Sequence, residues 1–307
     1  MSQSALVVGE SLVDIVRAGD GSTTEFAGGS AANVAVALAR LGRAVQFATS
    51  WGEDARGRVL AERLERDGVT LAVDPHAIGH TSTAIATIRS DGHASYEFDL
   101  AWRLNPLPDD IDPLVVHTCS LGAVLSPGAD DVLELLGRLR GGTTVSYDVN
   151  ARPAITGTGP DLVAQVEAVA SRSDLVKASD EDLEALYEGL DPLAGAKRLL
   201  ALGPAAVVVT RGQGGATWVS AVQEVDVASV PVVVADTIGA GDTFCAAMLD
   251  ALWARDLLGP GGRDALVDAP RDAVVDVLAH AARAAAVTVG RPGANPPYLR
   301  ELDGSSS

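Results

Sequence analysis

Short apolar runs alternate along the chain with longer stretches in which apolar residues recur at helical spacing. Ala5 to Val8, Val45 to Thr49, Leu114 to Thr118, Thr144 to Tyr147, Leu175 to Lys177 and Ala206 to Val209 are apolar almost throughout, as strands covered on both faces are. Between them the spacing predicts helices over Ala31 to Leu41, Ala55 to Arg66, Asp130 to Arg140, Asp161 to Ser171, Asp180 to Tyr187, Leu193 to Leu202, Thr243 to Ala254 and Arg271 to Val287. Gly42 and Gly68 stand where helix ends favour a left-handed residue. Strand–helix alternation of this kind predicts an α/β fold with a mostly parallel central sheet and helices on both faces.

Two segments break the rhythm. Val13 to Ala27 contains Gly19-Asp20-Gly21, and Ser82 to Leu100 alternates apolar with polar and turns at Asp91-Gly92, a hairpin signal. Both predict antiparallel strands outside the main sheet. With no internal repeat and no low-complexity linker, a single domain is expected over residues 1–303, with 304–307 a disordered tail.

The length of 307 residues suits one large α/β domain, and a hydrophobic content of 47% supports a sizeable core. A formal net charge of −18, with no basic stretch to offset it, argues against nucleic acid or an anionic membrane as partner. It still allows an anionic nucleotide, which N–H groups, a metal and a few cations can grip locally. Cys119 and Cys245 sit in apolar runs without framework or metal spacing, which predicts a reducing, cytoplasmic setting. No apolar run reaches spanning length, and the N-terminus lacks the basic-then-apolar pattern of a secretory leader.

The run from Asp236 to Phe244, Asp-Thr-Ile-Gly-Ala-Gly-Asp-Thr-Phe, carries the most chemistry. It follows the valine-rich stretch Val230 to Val234 and opens the small, apolar segment Cys245 to Ala254. A glycine-rich turn at a helix start presents unpaired N–H groups at the positive end of the helix dipole, where phosphate commonly binds. A carboxylate such as Asp242 repels an anion there unless it has a task, such as taking a proton from an attacking hydroxyl. Anion site plus base suggests phosphoryl transfer to an alcohol. The same residues also suit a plain strand-to-helix turn with an acid near the helix start. Gly28-Gly29-Ser30-Ala31-Ala32-Asn33 is the second signal. Its glycines permit close backbone approach, and Asn33 lies in the first helical turn, free either to bind hydroxyls or to cap.

These two runs resemble the signatures of the ribokinase-like (PfkB-type) carbohydrate kinases. The C-terminal signature matches Asp236, Thr237, Gly239, Ala240, Gly241 and Asp242, and the N-terminal GG-x-x-x-N matches Gly28, Gly29 and Asn33. The resemblance implies a ribokinase-like three-layer sandwich, with the segments at about 13–27 and 82–100 forming a small β-lid over a sugar site. It implies ATP as donor, with Mg²⁺, and a monovalent cation such as K⁺ near the carbonyls of Asp236 and Ile238 and the loop Arg291 to Ala294. Asp242 would be the base, and Gly239, Ala240 and Gly241 would hold the transferring phosphate. Asp14, Gly28, Gly29, Asn33 and Asp242 would meet the sugar, with Arg103 as a pocket wall or lid seal. Asn150, Lys177, Thr210, Gly212 and Gly215, with the turn glycines, would face ATP. A homodimer through the lid is an assembly left open.

Within the family, Asp148-Val149-Asn150-Ala151-Arg152 resembles the D-x-N-x-R segment of fructokinase-like and 2-keto-3-deoxygluconate kinase-like members, and Thr210 to Gly215 resembles the T-x-G-x-x-G nucleotide loop. The family's N-x-x-E is replaced by Ser179 and Asp182. That pair reads either as a capping box or, through water, as an Mg²⁺ contact. Ser30 and the Asp148 to Pro153 segment lean toward a fructokinase-like, ATP-dependent sugar kinase acting on fructose. A ribose or nucleoside kinase is the alternative, and a non-catalytic sugar-binding relative the more distant one. No P-loop is present and no G-x-G-x-x-G follows the first strand, which argues against a dinucleotide-dependent oxidoreductase. His280 is expected to pack or lie on the surface rather than serve the adenine side.

Overall fold

The alternation read from the sequence is built as two sheets in the computed structural model, which describes residues 3–88 and 94–302. The strands are β1 (Ala5–Val8), β2 (Leu12–Arg17), β3 (Thr23–Gly28), β4 (Val45–Ala48), β5 (Thr70–Leu71), β6 (Thr83–Ile88), β7 (Ala94–Asp99), β8 (Val115–Cys119), β9 (Thr144–Asp148), β10 (Leu175–Ser179), β11 (Ala206–Thr210), β12 (Ala216–Ser220) and β13 (Glu224–Val227). The helices are α1 (Ser30–Arg40), α2 (Ala55–Arg66), α3 (Ser120–Val124), α4 (Gly128–Leu139), α5 (Pro153–Thr156), α6 (Pro160–Ala170), α7 (Asp180–Leu186), α8 (Pro192–Leu200), α9 (Ala240–Trp253), α10 (Gly262–Val267), α11 (Arg271–Val289) and α12 (Leu299–Leu302).

The larger sheet runs β13-β12-β11-β10-β9-β8-β1-β4-β5. Its neighbours are parallel from β11 to β5, and β12 and β13 extend the β11 edge antiparallel. β1 shows why unbroken apolar runs became strands. Ala5 and Val7 join one core with Val34 and Leu38 of α1, Met248 of α9 and Leu278 of α11. Leu6 and Val8 join another with Leu136 of α4, Val166 of α6, Leu183 of α7 and Leu199 of α8. Burying a Val or Leu side chain stabilises by about 1.5–3 kcal/mol, so every residue of such a strand contributes. The result is helix, sheet and helix in three layers.

The chain leaves β1 for β4 on one side and later returns to β8 on the other. At this reversal the loops leaving the carboxyl ends of the strands diverge and open a crevice. Gly9 and Glu10 leave β1 there, Ser120 leaves β8 and Asn150 follows β9.

The smaller sheet runs β3-β2-β6-β7. Each expected segment is an antiparallel pair, and the two are joined by a parallel β2–β6 contact. The Asp91-Gly92 turn and the 304–307 tail lie outside the described residues.

The short elements β5, α3, α5, α10 and α12 were not read from the sequence pattern, and other features differ from it. β12 and β13 were not expected, because Thr217 and Ser220 dilute the apolar run, yet tertiary packing buries β12 at every position. The valine stretch Val230 to Val234 forms no strand, and Val233 is 89% exposed. Propensity without a neighbouring edge to pair with does not make a strand. α9 begins at Ala240, not Thr243, which draws Asp242 into its first turn. Among the described residues no helix is long and apolar enough to cross a membrane.

Candidate active site

Gly239 precedes α9 with φ 75°, a left-handed conformation that a side chain disfavours. No side chain caps the helix; Ala240 N donates to Thr237 O at 3.3 Å, and the next N–H groups, of Gly241 and Asp242, remain for a ligand. A Cβ on Gly241 would come 3.1 Å from Lys177 Nζ, so the lysine lies directly behind the turn. Lys177 is buried and donates to Asp148 Oδ2 at 3.1 Å. Burial alone would lower its pKa, but Asp148, helped by Cys245 and Asp182, holds it above the ordinary lysine range and protonated. The turn therefore has both helix-end dipole and a full positive charge beside it.

Asp242 is 5% exposed. Its Oδ2 accepts from Asn33 Nδ2 at 2.8 Å, and its Oδ1 is 3.4 Å from Asn150 Nδ2. Asn150 Nδ2 also donates to Ser30 Oγ at 2.6 Å, while Arg152 donates to Asn150 Oδ1 at 2.6 Å. Burial raises the Asp242 pKa, opposed by the Asn33 donor, Arg152, Lys177 and Ser30. A carboxylate desolvated but still supported in its charged form is suited to accept a proton.

Asn33 reaches Asp242 because Gly28 and Gly29 let α1 start against other backbone. A Cβ on Gly29 would sit 2.7 Å from the Glu10 carbonyl oxygen, and one on Gly28 would collide with the Asp14 carboxylate. Asp14 is half-buried on β2, and burial raises its pKa to about 6 against the pull of Arg63 and Arg152.

A cleft of about 1220 Å³ gathers Asp14, Gly28, Gly29, Asn33, Asn150, Arg152, Gly239, Gly241 and Asp242, along with Asp236 and Ile238. Ala240 lies in the first turn of α9 and Lys177 beneath it. The other expected residues stand apart. Arg103 is exposed and does not line the cleft; its neighbour Trp102 is buried, with Nε1 donating to Gly122 O at 3.0 Å. Thr210 ends β11, with Gly212 and Gly215 in the turn that follows, all at the carboxyl end of that strand and outside the cleft lining.

Ser179 and Asp182 form the capping box. Asp182 N donates to Ser179 Oγ at 3.0 Å, and Ser179 N to Asp182 Oδ2 at 2.8 Å. Asp182 Oδ1 accepts from Ala151 N at 2.8 Å, tying the Asn150 loop to α7. Asp236 accepts from Ile238 N at 3.0 Å and Gly293 N at 2.9 Å, and these bonds lower its pKa. Among the described residues the carbonyls of Asp236 and Ile238 take no backbone hydrogen bond. His280 packs against Asp250, Nε2 to Oδ2 at 3.0 Å. Among the described residues no group of three or more His, Cys, Asp or Glu is set to hold a metal ion.

Two participants escaped the sequence pattern. Glu10 is buried; Gly122 N donates to it at 2.7 Å and Ser30 N at 3.3 Å, while burial raises its pKa to about 7. Arg63 of α2 donates to Asn33 Oδ1 at 2.8 Å. Neither lies in a motif, and the helical spacing of α2 marks Arg63 only as a polar position.

The pfkB family carbohydrate kinase model matches residues 2–301. A fructokinase of Rhizobium leguminosarum bv. trifolii is 34% identical over 267 residues, 82% of this chain and 81% of that protein. The crystal structure of a fructokinase with bound ATP from Xylella fastidiosa superposes with a TM-score of 0.87 at 28% identity, covering 98% of this chain and 97% of that one. A double mutant of the fructokinase of Vibrio cholerae O395, in a form with fructose, ADP and potassium ion bound, gives a TM-score of 0.75 at 25% identity over 95% of this chain and 94% of that one.

Proposed function

The chain belongs to the pfkB family of carbohydrate kinases, and from that premise we propose that its cleft passes the γ-phosphoryl group of ATP to a hydroxyl of fructose. The observation that carries this reading is a buried carboxylate, Asp242, in the first turn of a helix whose uncapped start is backed by Lys177. The substrate hydroxyl, held by Asp14 and Asn33 against Gly28 and Gly29, gives its proton to Asp242 as its oxygen bonds to the γ-phosphorus. The bond from that phosphorus to the bridging oxygen breaks, and ADP leaves. The N–H groups of Gly239, Gly241 and Asp242 and the Lys177 charge meet the negative charge on the phosphoryl oxygens. Asn150 and Arg152 steady the base from the other side.

Each Asp182 oxygen already accepts one backbone N–H, which leaves it room to meet a metal through water rather than directly. Mg²⁺ bound that way would neutralise phosphate charge. The free carbonyls of Asp236 and Ile238 suit a monovalent cation beside the turn. Thr210, Gly212 and Gly215 would serve the distal part of the nucleotide, beyond the cleft. Phe26 and Tyr96, 54% and 64% exposed on the smaller sheet, support a homodimer through that sheet. The two free, buried cysteines support a cytoplasmic setting.

The test is a comparison of kcat/KM for fructose, ribose, 2-keto-3-deoxygluconate and adenosine under one set of conditions. Fructose is expected to lead, because a pocket built for particular hydroxyls leaves its own polar groups unpaired with an analogue that lacks one. A higher value for ribose or adenosine would overturn the fructose assignment and leave the kinase.

A further inference from the structure

We propose that Arg63 is a positioning residue for the base: its guanidinium fixes the amide of Asn33 so that the amide N–H₂, and not the carbonyl, meets Asp242. The inference rests on Asp242 being the base.

Arg63 projects from α2 into the junction of three segments. It donates to Ala27 O of β3 at 2.8 Å and to Asn33 Oδ1 of α1 at 2.8 Å, and it lies 3.5 Å from Ala294 O in the loop after α11. Asn33 in turn donates from Nδ2 to Asp242 Oδ2 at 2.8 Å. An amide has one donor end and one acceptor end. With Arg63 in place, the flipped amide would set its N–H₂ against a guanidinium and its carbonyl against a carboxylate. Both contacts are repulsive, so one orientation is selected by two charged neighbours. The planar fork of Arg63 matters as much as its charge, since it serves Ala27 and Asn33 at once from different nitrogens; an ammonium on a flexible stem cannot.

The charge has its own effect. Arg63 is attracted to Asp67, Asp242 and Asp14, which sustain its protonation against burial. Lys177 of β10 and Arg152 after β9 also face Asp242 and favour its ionised form. The carboxyls of Glu10 after β1 and Asp148 of β9 also face it, each raised by the Asp242 charge, while Cys119 of β8 and Cys245 of α9 face it as neutral thiols. Removing Arg63 takes away one favourable charge and frees the Asn33 amide to turn. Both changes make Asp242 harder to ionise.

The experiment compares the pH profiles of kcat/KM for fructose in the full-length enzyme and in Arg63→Met, Arg63→Lys, Asn33→Ala and the Arg63→Met/Asn33→Ala double variant. In Arg63→Met the acid limb is expected to move up by about one pH unit and kcat near neutral pH to fall about tenfold, with KM for ATP held. Arg63→Lys should lose most of the same ground, because it keeps the charge but not the fork. The double variant should be no worse than Asn33→Ala alone, since residues acting through one another are not additive. An unmoved acid limb, or losses that add in full, would overturn the inference. If Arg63→Met does not fold, Arg63→Lys decides on the same readouts. Full turnover in Asp242→Asn would overturn the base assignment and this inference with it. Loss of turnover there, with an unmoved limb in the Arg63 variants, would overturn the inference alone.

Discussion

Helices α1 and α9 start alike and end up with different groups behind them. Each is preceded by a glycine with positive φ, 101° at Gly29 and 75° at Gly239, and neither has a side-chain cap. At α1 the first N–H is already taken, because Ser30 N donates to the buried carboxylate of Glu10. At α9 the nearest charge behind the turn is the Lys177 ammonium. A helix start whose first N–H is already met by a buried carboxyl has little use for an anion, and on the proposed reading α1 instead offers the amide of Asn33 to a neutral, hydroxyl-rich ligand. On the same reading, the α9 start, with its Gly241 and Asp242 N–H groups unbonded and a cation behind them, suits phosphate. The α7 start is a third case, closed by Ser179 and Asp182 in a capping box. On the proposed reading the same local turn becomes a sugar contact, a phosphate site or a plain helix end according to which side chain stands behind it.

Breaking the α9 half should cost the most. Asp242→Asn keeps the shape and removes the base, so turnover is expected to fall by roughly 10²–10⁴-fold while ATP affinity holds in calorimetry. Wild-type turnover in a coupled assay would take Asp242 out of the chemistry. Gly241→Val pushes a branched side chain toward Lys177 Nζ and crowds the anion site. A loss of about 10²-fold in kcat is expected from protein with native circular dichroism, comparable to losing an anion-stabilising donor. Retained activity would mean that the phosphate sits elsewhere.

The α1 half is sharpened through pH. Burial puts the folded Glu10 at about 7, against an ordinary value of 4.5. Between those values the folded state binds a proton that the unfolded state has released. Stability should therefore fall as pH rises through that window, by roughly 3 kcal/mol from Glu10 alone. Asp14, raised to about 6, adds a smaller slope of the same sign. Urea denaturation at about pH 5 and about pH 7 should show a flatter dependence in Glu10→Gln than in the wild type. Identical slopes would show that Glu10 does not hold its proton in the folded protein. The smallest effect belongs to α7: Ser179→Ala should cost about 1 kcal/mol of stability, the usual worth of a cap. No change in the denaturation midpoint would deny the capping box its role.

Much of the molecule was legible beforehand, for local reasons. The strands of the larger sheet show as apolar runs because both of their faces are covered, and the two glycine turns show because few other residues tolerate such backbone. Asp242 and Asn33 followed from their places in those turns. Arg103 did not follow: it reads as a pocket residue in the chain and stands exposed outside the cleft. β12 was hidden by its hydroxyl side chains, and the valine-rich stretch Val230 to Val234 forms no strand.

The sequence by itself determined the α/β layering, the two turns and the identity of the acid in one of them, since periodicity and turn conformation depend on near neighbours along the chain. Only the tertiary structure decided what those turns are for. Asn33 and Asp242 are 209 residues apart in sequence and 2.8 Å apart in space. Glu10 and Lys177 reach their helix starts from strands on either side of the crevice. Burial and the distances between charges set the electrostatics of a site, and both arise only when remote segments pack together.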